Sequence, residues 1–167
     1  VPAAKVFPVA RAQVAPAVDQ FGVIARCSGL IATEFSYRKD EEIYGEGEPS
    51  EYVYQVIRGA VRTYKLLNDG RRQIGAFHLP GDVFGLDSGP AHRLTAEAIT
   101  DTTVRLVKRR CLEAAAGTNV QVAHTLWTMT ASDLRHAEDH MLLLGRKTAM
   151  EKVATFLLEM DRRLAKA

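Results

Sequence analysis

Cysteine is scarce in this chain: Cys27 and Cys111 stand 84 positions apart in 167 residues. Two thiols at that separation cannot build a disulfide scaffold and lack the close spacing of a zinc site, which points to a reducing compartment. No apolar run approaches the about eighteen residues of a membrane span, and no basic-then-apolar signal opens the chain, so no membrane partner and a cytoplasmic location are expected. Charge of one sign is lacking too. Twenty-two Lys and Arg against twenty Asp and Glu leave a net +2, well short of the basic footprint of a chain that grips phosphates over a wide surface. What remains, 47% hydrophobic and 25% charged residues, is ordinary for a globular domain, and the length fits one domain with or without an appendage. The first residue is Val rather than Met, so the chain is expected to be a fragment or processed form.

Proline is absent after Pro90, and glycine nearly so. Eight of the twelve glycines fall between residues 45 and 89, and only Gly117 and Gly145 follow Pro90. Glycine supplies the positive φ of tight turns, whereas a stretch without Gly or Pro lets a helix propagate. The chain thus reads as a turn-rich β part followed by a helical part. Residues 1–20, rich in Ala, Val and Pro without a sustained period, read as a loose arm. From about Phe35 come short segments of strand composition: Tyr52–Ile57, Val61–Leu67, Gln73–Phe77, Leu94–Ile99 and Thr103–Val107. Asn68-Asp69-Gly70 is a hairpin turn and His78-Leu-Pro-Gly-Asp82 another. Short strands with a turn about every ten residues indicate a sandwich, roll or barrel.

Two capping boxes follow, Thr118-Asn-Val-Gln121 and Thr148-Ala-Met-Glu151, in which a hydroxyl and the side chain three residues on satisfy orphan amides at a helix start. With Gly145 as a stop, they predict one helix from Asn119 to Leu144, about 39 Å long. Trp127, Thr130, Leu134, Ala137, Met141 and Leu144 are spaced 3, 4, 3, 4, 3, the rhythm of a coiled-coil seam. A second strip, Val122, Leu126 and Met129, covers only the first half before Asp133, His136 and His140 interrupt it. The short strip is expected on the β part and the long seam against a second copy of the chain; the plainer alternative makes both strips one domain's core. The final helix, from Thr148 to about Leu164, is amphipathic through Val153, Phe156, Leu157, Met160 and Leu164. Residues 146–167 carry six basic groups against three acids. Such a run reads as a solvated face or as the edge of a nucleic-acid footprint.

A Gly-punctuated β-roll, a long seam helix, a Gly hinge and a second capped helix resemble the bacterial regulators typified by the cyclic AMP receptor protein and the fumarate and nitrate reduction regulator (the CRP/FNR family). The resemblance is carried by Glu42-Ile-Tyr-Gly-Glu-Gly-Glu-Pro49, Val56-Ile-Arg-Gly-Ala-Val-Arg62, Asn68-Asp-Gly70, Phe77-His-Leu-Pro-Gly-Asp-Val-Phe-Gly-Leu-Asp87 and Met141-Leu-Leu-Leu-Gly-Arg-Lys147. The stretch Gly145–Leu164 resembles the FixK branch, regulators of low-oxygen and nitrogen-fixation genes. The likeness implies an α+β architecture: a cyclic-nucleotide-binding-type β-roll (double-stranded β-helix, or jelly roll), then a long dimerisation helix, then the first helix of a winged-helix DNA-binding domain. It divides the chain into a flexible arm (1–22), a sensory roll (23–116), a dimerisation helix and hinge (117–145, with Gly145 as hinge) and the start of an incomplete DNA-binding domain (146–167). It also implies a homodimeric activator that binds palindromic DNA and RNA polymerase, with no DNA-reading residue in this stretch.

Departures from the family pattern narrow that expectation. In cyclic-nucleotide binders of this family Pro-Gly-Asp-x-x-Gly is followed by a Glu for the ribose, and then by an Arg for the phosphate, itself followed by a small residue and Ala. Here Gly85 precedes Leu86, and Arg93 precedes Leu94 and Thr95. Gly85 and Arg93 mark a degenerate nucleotide pocket, and no small-molecule effector is expected in it; the alternative function is a cyclic-nucleotide-binding regulatory module. An iron–sulfur cluster needs about four thiolates, and the strand position that carries a ligand in cluster-binding relatives is Arg105 here, so no cofactor is expected. Cys111 follows Lys108, Arg109 and Arg110, which makes it a candidate redox thiol, against the plainer reading of a partly buried inert one. His136 and His140 have the i, i+4 spacing of a metal pair but no third ligand nearby in sequence. Metal oxygenases built on related rolls show His-x-His, which none of the five histidines forms; no metal and no enzymatic activity are expected.

Overall fold

The computed structural model describes residues 22, 24, 32–146 and 148–165, without the side chains of residues 139–140 and 143–146. Among them the strands come first: β1 (Thr33–Tyr37), β2 (Glu42–Tyr44), β3 (Tyr52–Arg58), β4 (Val61–Leu66), β5 (Arg72–His78), β6 (Val83–Phe84), β7 (Thr95–Ala98) and β8 (Thr102–Lys108). The helices α1 (Arg109–Thr118), α2 (Val120–Arg146) and α3 (Ala149–Leu164) follow. The strands form two four-stranded antiparallel sheets, ordered β1-β8-β3-β6 and β2-β7-β4-β5. This is the α+β roll followed by helices that the sequence predicts.

Side chains alternate across a strand with period two, and β3 and β8 use both faces. Tyr54 and Val56 of β3 and Val104 of β8 join Tyr44, Val61, Phe84 and Ala96 in the roll interior. On the opposite face Val53 lies across from Val107. Both are buried with Ile24, Leu112 of α1, and Val122 and Met129 of α2. A strand buried on both sides needs a nearly continuous apolar run, which is why these two segments stand out in the sequence. The strip Val122, Leu126 and Met129 therefore seats the first half of α2 on the outside of the first sheet.

Gly59 turns β3 into β4 at φ +91°. A Cβ there would lie 2.4 Å from Thr102 Oγ1 and 2.6 Å from the Asp101 carbonyl, so both the dihedral and the space require glycine.

Several local expectations are corrected. The helix α1 was not legible because no side chain caps its start; it is held by Leu112 against the outer cluster. Because α1 runs through Thr118, that residue cannot cap α2. Its hydroxyl donates to the Ala114 and Ala115 carbonyls, and the extended Asn119 accepts instead from the amides of Gln121 (2.9 Å) and Val122 (3.4 Å). Further on, α2 continues through Gly145 to Arg146, so Gly145 does not stop it. The Thr148 box forms as expected: its amide donates to Glu151 Oε2 at 2.8 Å and its hydroxyl accepts from the Glu151 amide. Gly22 and Ile24, at the edge of the expected arm, are helical. Residues 1–21, Cys27 and the side chain of Leu144 lie outside the described residues.

Candidate functional site

The segment between β6 and β7 is where a nucleotide-binding roll would hold its ligand, and here the protein's own side chains occupy it. Gly85, at φ +79°, is buried beneath Tyr54; a Cβ would meet the Tyr54 ring at 2.9 Å. Leu86 is half-buried, and the next residue, Asp87, turns inward. Asp87 Oδ2 accepts from His92 Nδ1 at 2.7 Å and Oδ1 from the Arg93 amide at 3.3 Å. His92 is itself buried and stacks on Tyr44, with ring centroids 3.6 Å apart and planes at 12°. Tyr54 stacks on Phe84 at 5.1 Å, and Tyr44 tilts against Tyr54 at 5.3 Å. The result is a plug of four aromatic rings clamped by one carboxylate. Burial holds the Tyr44 and Tyr54 hydroxyls far above the usual tyrosine range, with the Asp87 charge adding to the effect at Tyr44. Both stay neutral.

An anion has no seat here. Residues 85–94 contain no helical turn, so there is no helix N-terminus to aim amides at a phosphate, and Arg93 points to solvent. The buried carboxylate nearest in sequence, Glu97, is already committed: Arg62 donates to it from the paired strand position, Arg72 Nη1 lies at 3.2 Å and Tyr64 hydrogen-bonds it. Burial pushes this carboxyl up, but those hydrogen bonds and charges outweigh it and leave it below the ordinary range. The residues present do not fit a cyclic nucleotide. The sequence expectation of a degenerate pocket rested on Leu86 after Gly85 and on the context of Arg93; it did not include the His92–Asp87–Tyr44 cluster, whose local signal was an Asp and a His five residues apart.

His78, at the end of β5 and half-buried, packs on Phe84, ring centroids 5.0 Å apart, with Nε2 3.2 Å from Thr63 Oγ1. Burial pulls its pKa from the usual 6.5 to about 4, with Asp82 opposing and Arg163 assisting. The unfolded chain takes up that proton more readily, so the contribution is complete above about pH 6.5 and is lost as pH falls through the window down to about 4. It amounts to about 2 kcal/mol of lost stability by pH 5. Denaturant midpoints at pH 7 and pH 5 check this: the wild type loses that share and His78→Gln does not. Equal losses in both proteins would remove His78 as the cause.

The remaining sequence candidates are dispersed. Cys111 on α1 is half-buried and free. One of the three cations before it, Arg109, is spent on Ser50 Oγ and the Gly89 carbonyl, both at 2.8 Å, and on Glu113. Arg105, on the outer side of β8, pairs with Glu34 at 3.1 Å. His136 is exposed and the His140 side chain lies outside the described residues; among the described residues no group of three or more His, Cys, Asp or Glu could hold a metal, and no helix is long and apolar enough to cross a membrane. Along α2, Trp127, Leu134 and Met141 are 75%, 60% and 66% exposed, and Thr130 and Ala137 are exposed between them.

Comparison with known proteins agrees with this architecture. The cyclic nucleotide-binding domain family matches residues 34–119. The chain is 43% identical over 147 residues to the nitrogen fixation regulation protein FixK of Azorhizobium caulinodans, covering 88% of this chain and 59% of that protein. To FixK of Rhizobium meliloti it is 40% identical, covering 80% and 59%. The chain thus spans about three fifths of the length of these curated relatives. The solved structure of FixK2 from Bradyrhizobium japonicum shares 83% identity at a TM-score of 0.78, over 80% of this chain and 68% of that one. A transcriptional regulator of the CRP family from Thermus thermophilus shares 29% identity at 0.64, over 74% and 62%. The family match over residues 34–119 and the identities of 43% and 40% to two FixK proteins place this chain in the cyclic nucleotide-binding domain family, in the FixK branch of the CRP/FNR family.

Proposed function

We propose that this chain is the roll and dimerisation helix of a homodimeric transcription activator of the FixK kind, controlling low-oxygen or nitrogen-fixation genes. The observation that carries the reading is the divided burial of α2: Val122 and Met129 are sealed against the roll while Trp127, Leu134 and Met141 stay exposed along the opposite strip. A helix of 27 residues, about 40 Å long, with an unpartnered apolar seam suits a two-fold pairing with its own copy. The paired rods set the separation of two DNA-reading units, of which α3 is the first helix, at the about 34–36 Å between successive major grooves on one face of DNA. Palindromic DNA and RNA polymerase are the partners of the longer protein. It acts in the cytoplasm without an enzymatic activity or a cofactor.

The aromatic plug between β6 and β7 supports regulation without a cyclic nucleotide. Calorimetry of this chain with cyclic AMP and cyclic GMP is expected to show no heat at micromolar ligand. A micromolar signal abolished by Arg93→Ala would instead make the chain a cyclic-nucleotide module. The DNA reading is tested by extending the chain to the length of its relatives and measuring retention of a palindromic duplex, which is expected to be lost in Leu134→Glu while the roll stays folded.

A further inference from the structure

Most of α3 faces solvent: Met150, Val153, Leu157 and Leu164 are 78%, 55%, 60% and 60% exposed. One stripe of it nevertheless rests on the roll. The Phe156 ring, itself 40% exposed, meets Phe77 at the end of β5, with centroids 5.4 Å apart and planes at 52°. Arg163, two helical turns further on, reaches into the turn that follows: its Nη2 donates to the Phe77 carbonyl at 2.9 Å and pairs with the Asp82 carboxylate. Glu159, 3.8 Å from Nη1, steadies the guanidinium from within α3. Both contacts with the roll are made by Nη2, while Nη1 stays on the Glu159 side, so the planar guanidinium spans the turn and its own helix.

The receiving turn is well tied. The Leu79 amide donates to Asp82 Oδ2 at 2.7 Å, the Asp82 amide to the Leu79 carbonyl at 2.9 Å, and the Gly81 amide to the Val56 carbonyl of β3 at 2.8 Å. Asp82 thus both closes the turn and presents its charge to α3.

We propose that the turn from Phe77 to Asp82 is a docking site on the roll that fixes α3 of its own chain, with Phe156 as apolar anchor and Arg163 as positioning residue. The consequence rests on the reading of α3 as the first helix of the DNA-reading unit: the direction of that unit is then set by the roll through this turn, rather than by the freedom of a glycine. A displacement of the Pro80-Gly81-Asp82 turn moves the reading unit with it.

Hydrogen exchange on this chain tests the docking directly. A 16-residue helix alone is marginal in water, so the protection of α3 amides reports its attachment. The wild type is expected to protect α3. Arg163→Gln and Phe156→Ala are each expected to speed exchange of the α3 amides about tenfold or more, with β3, β8 and α2 unchanged. Arg163→Lys, which keeps the charge but loses the second guanidinium nitrogen on the Glu159 side, falls between. Protection in α3 that is absent from the wild type, or unmoved by the Gln and Ala variants, would overturn the docking. Failure of the longer protein to retain DNA would remove the consequence while leaving this exchange result standing, so the two failures are separable.

Discussion

Leu134→Glu is expected to convert a dimer at micromolar concentration into a monomer in sedimentation, with the roll unchanged by circular dichroism. Leu134 is 60% exposed in the single chain, further along the seam from Trp127, which is 75% exposed. In a two-fold pairing every seam residue is buried twice, once in each copy. Burying a leucine fully contributes about 1.5–3 kcal/mol, and the substitution removes two of them while setting two carboxylates against one another in a desolvated strip. A loss of about 3 kcal/mol or more corresponds to roughly a hundredfold weaker dimer. Thr128→Glu, exposed on the same helix but off the seam, serves as the control and is expected to remain dimeric. If the two variants sediment alike, the seam is not the interface, and the long helix needs another explanation.

The second large effect is expected at Gly59. Gly59→Ala adds a methyl group 2.4 Å from Thr102 Oγ1 and 2.6 Å from a backbone oxygen, at φ +91°. The dihedral alone costs about 1–2 kcal/mol in a residue with a Cβ, and the clash adds about 1–3 kcal/mol because the obstacle is backbone that cannot swing aside. A loss of about 2–5 kcal/mol lowers the melting temperature by about 5–15 °C in a domain of this size. Gly70 provides the comparison. It also has a positive φ, +82°, but nothing lies within 4 Å of its Cβ position. Gly70→Ala is therefore expected to lose only the dihedral share. Thermal melts of the two variants separate strain from space, and equal losses would show that the close approach at Thr102 is relieved at little cost.

The contrast between those glycines marks the limit of sequence reading. Both sit in turns that composition and spacing identify, Asn68-Asp69-Gly70 and the Arg58-Gly59-Ala60 corner between two strands. Only the structure shows that β8 begins directly beneath one of them and that solvent lies beneath the other. The strands β3, β4 and β8 were legible because each carries its own run of β-branched and aromatic residues, and β5 and β7 because short apolar segments there are set off by turn residues. The two-residue β6 was not, since it exists by pairing with Tyr54 and Gln55 of β3. Likewise α1 lacks a cap and is held by tertiary burial of Leu112, and its presence moved the cap of α2 from Thr118 to Asn119.

At the candidate site the family resemblance, taken residue by residue, set an expectation of a degenerate pocket: Leu86 follows Gly85 and Leu94 follows Arg93 where nucleotide binders of the family place a Glu and a small residue. The sequence by itself determined the two strips of α2 and their register, because helical periodicity is a local property of the chain. The sequence also led to the expectation that the short strip meets the roll, as Val122 and Met129 do; what fills the nucleotide segment and where α3 rests were decided only by the tertiary structure. His92 reaches Asp87 and Tyr44, and Arg163 reaches Phe77 and Asp82, across contacts whose energy depends on distances through space. Separations of 48 and 81 positions along the chain leave no periodic trace of them.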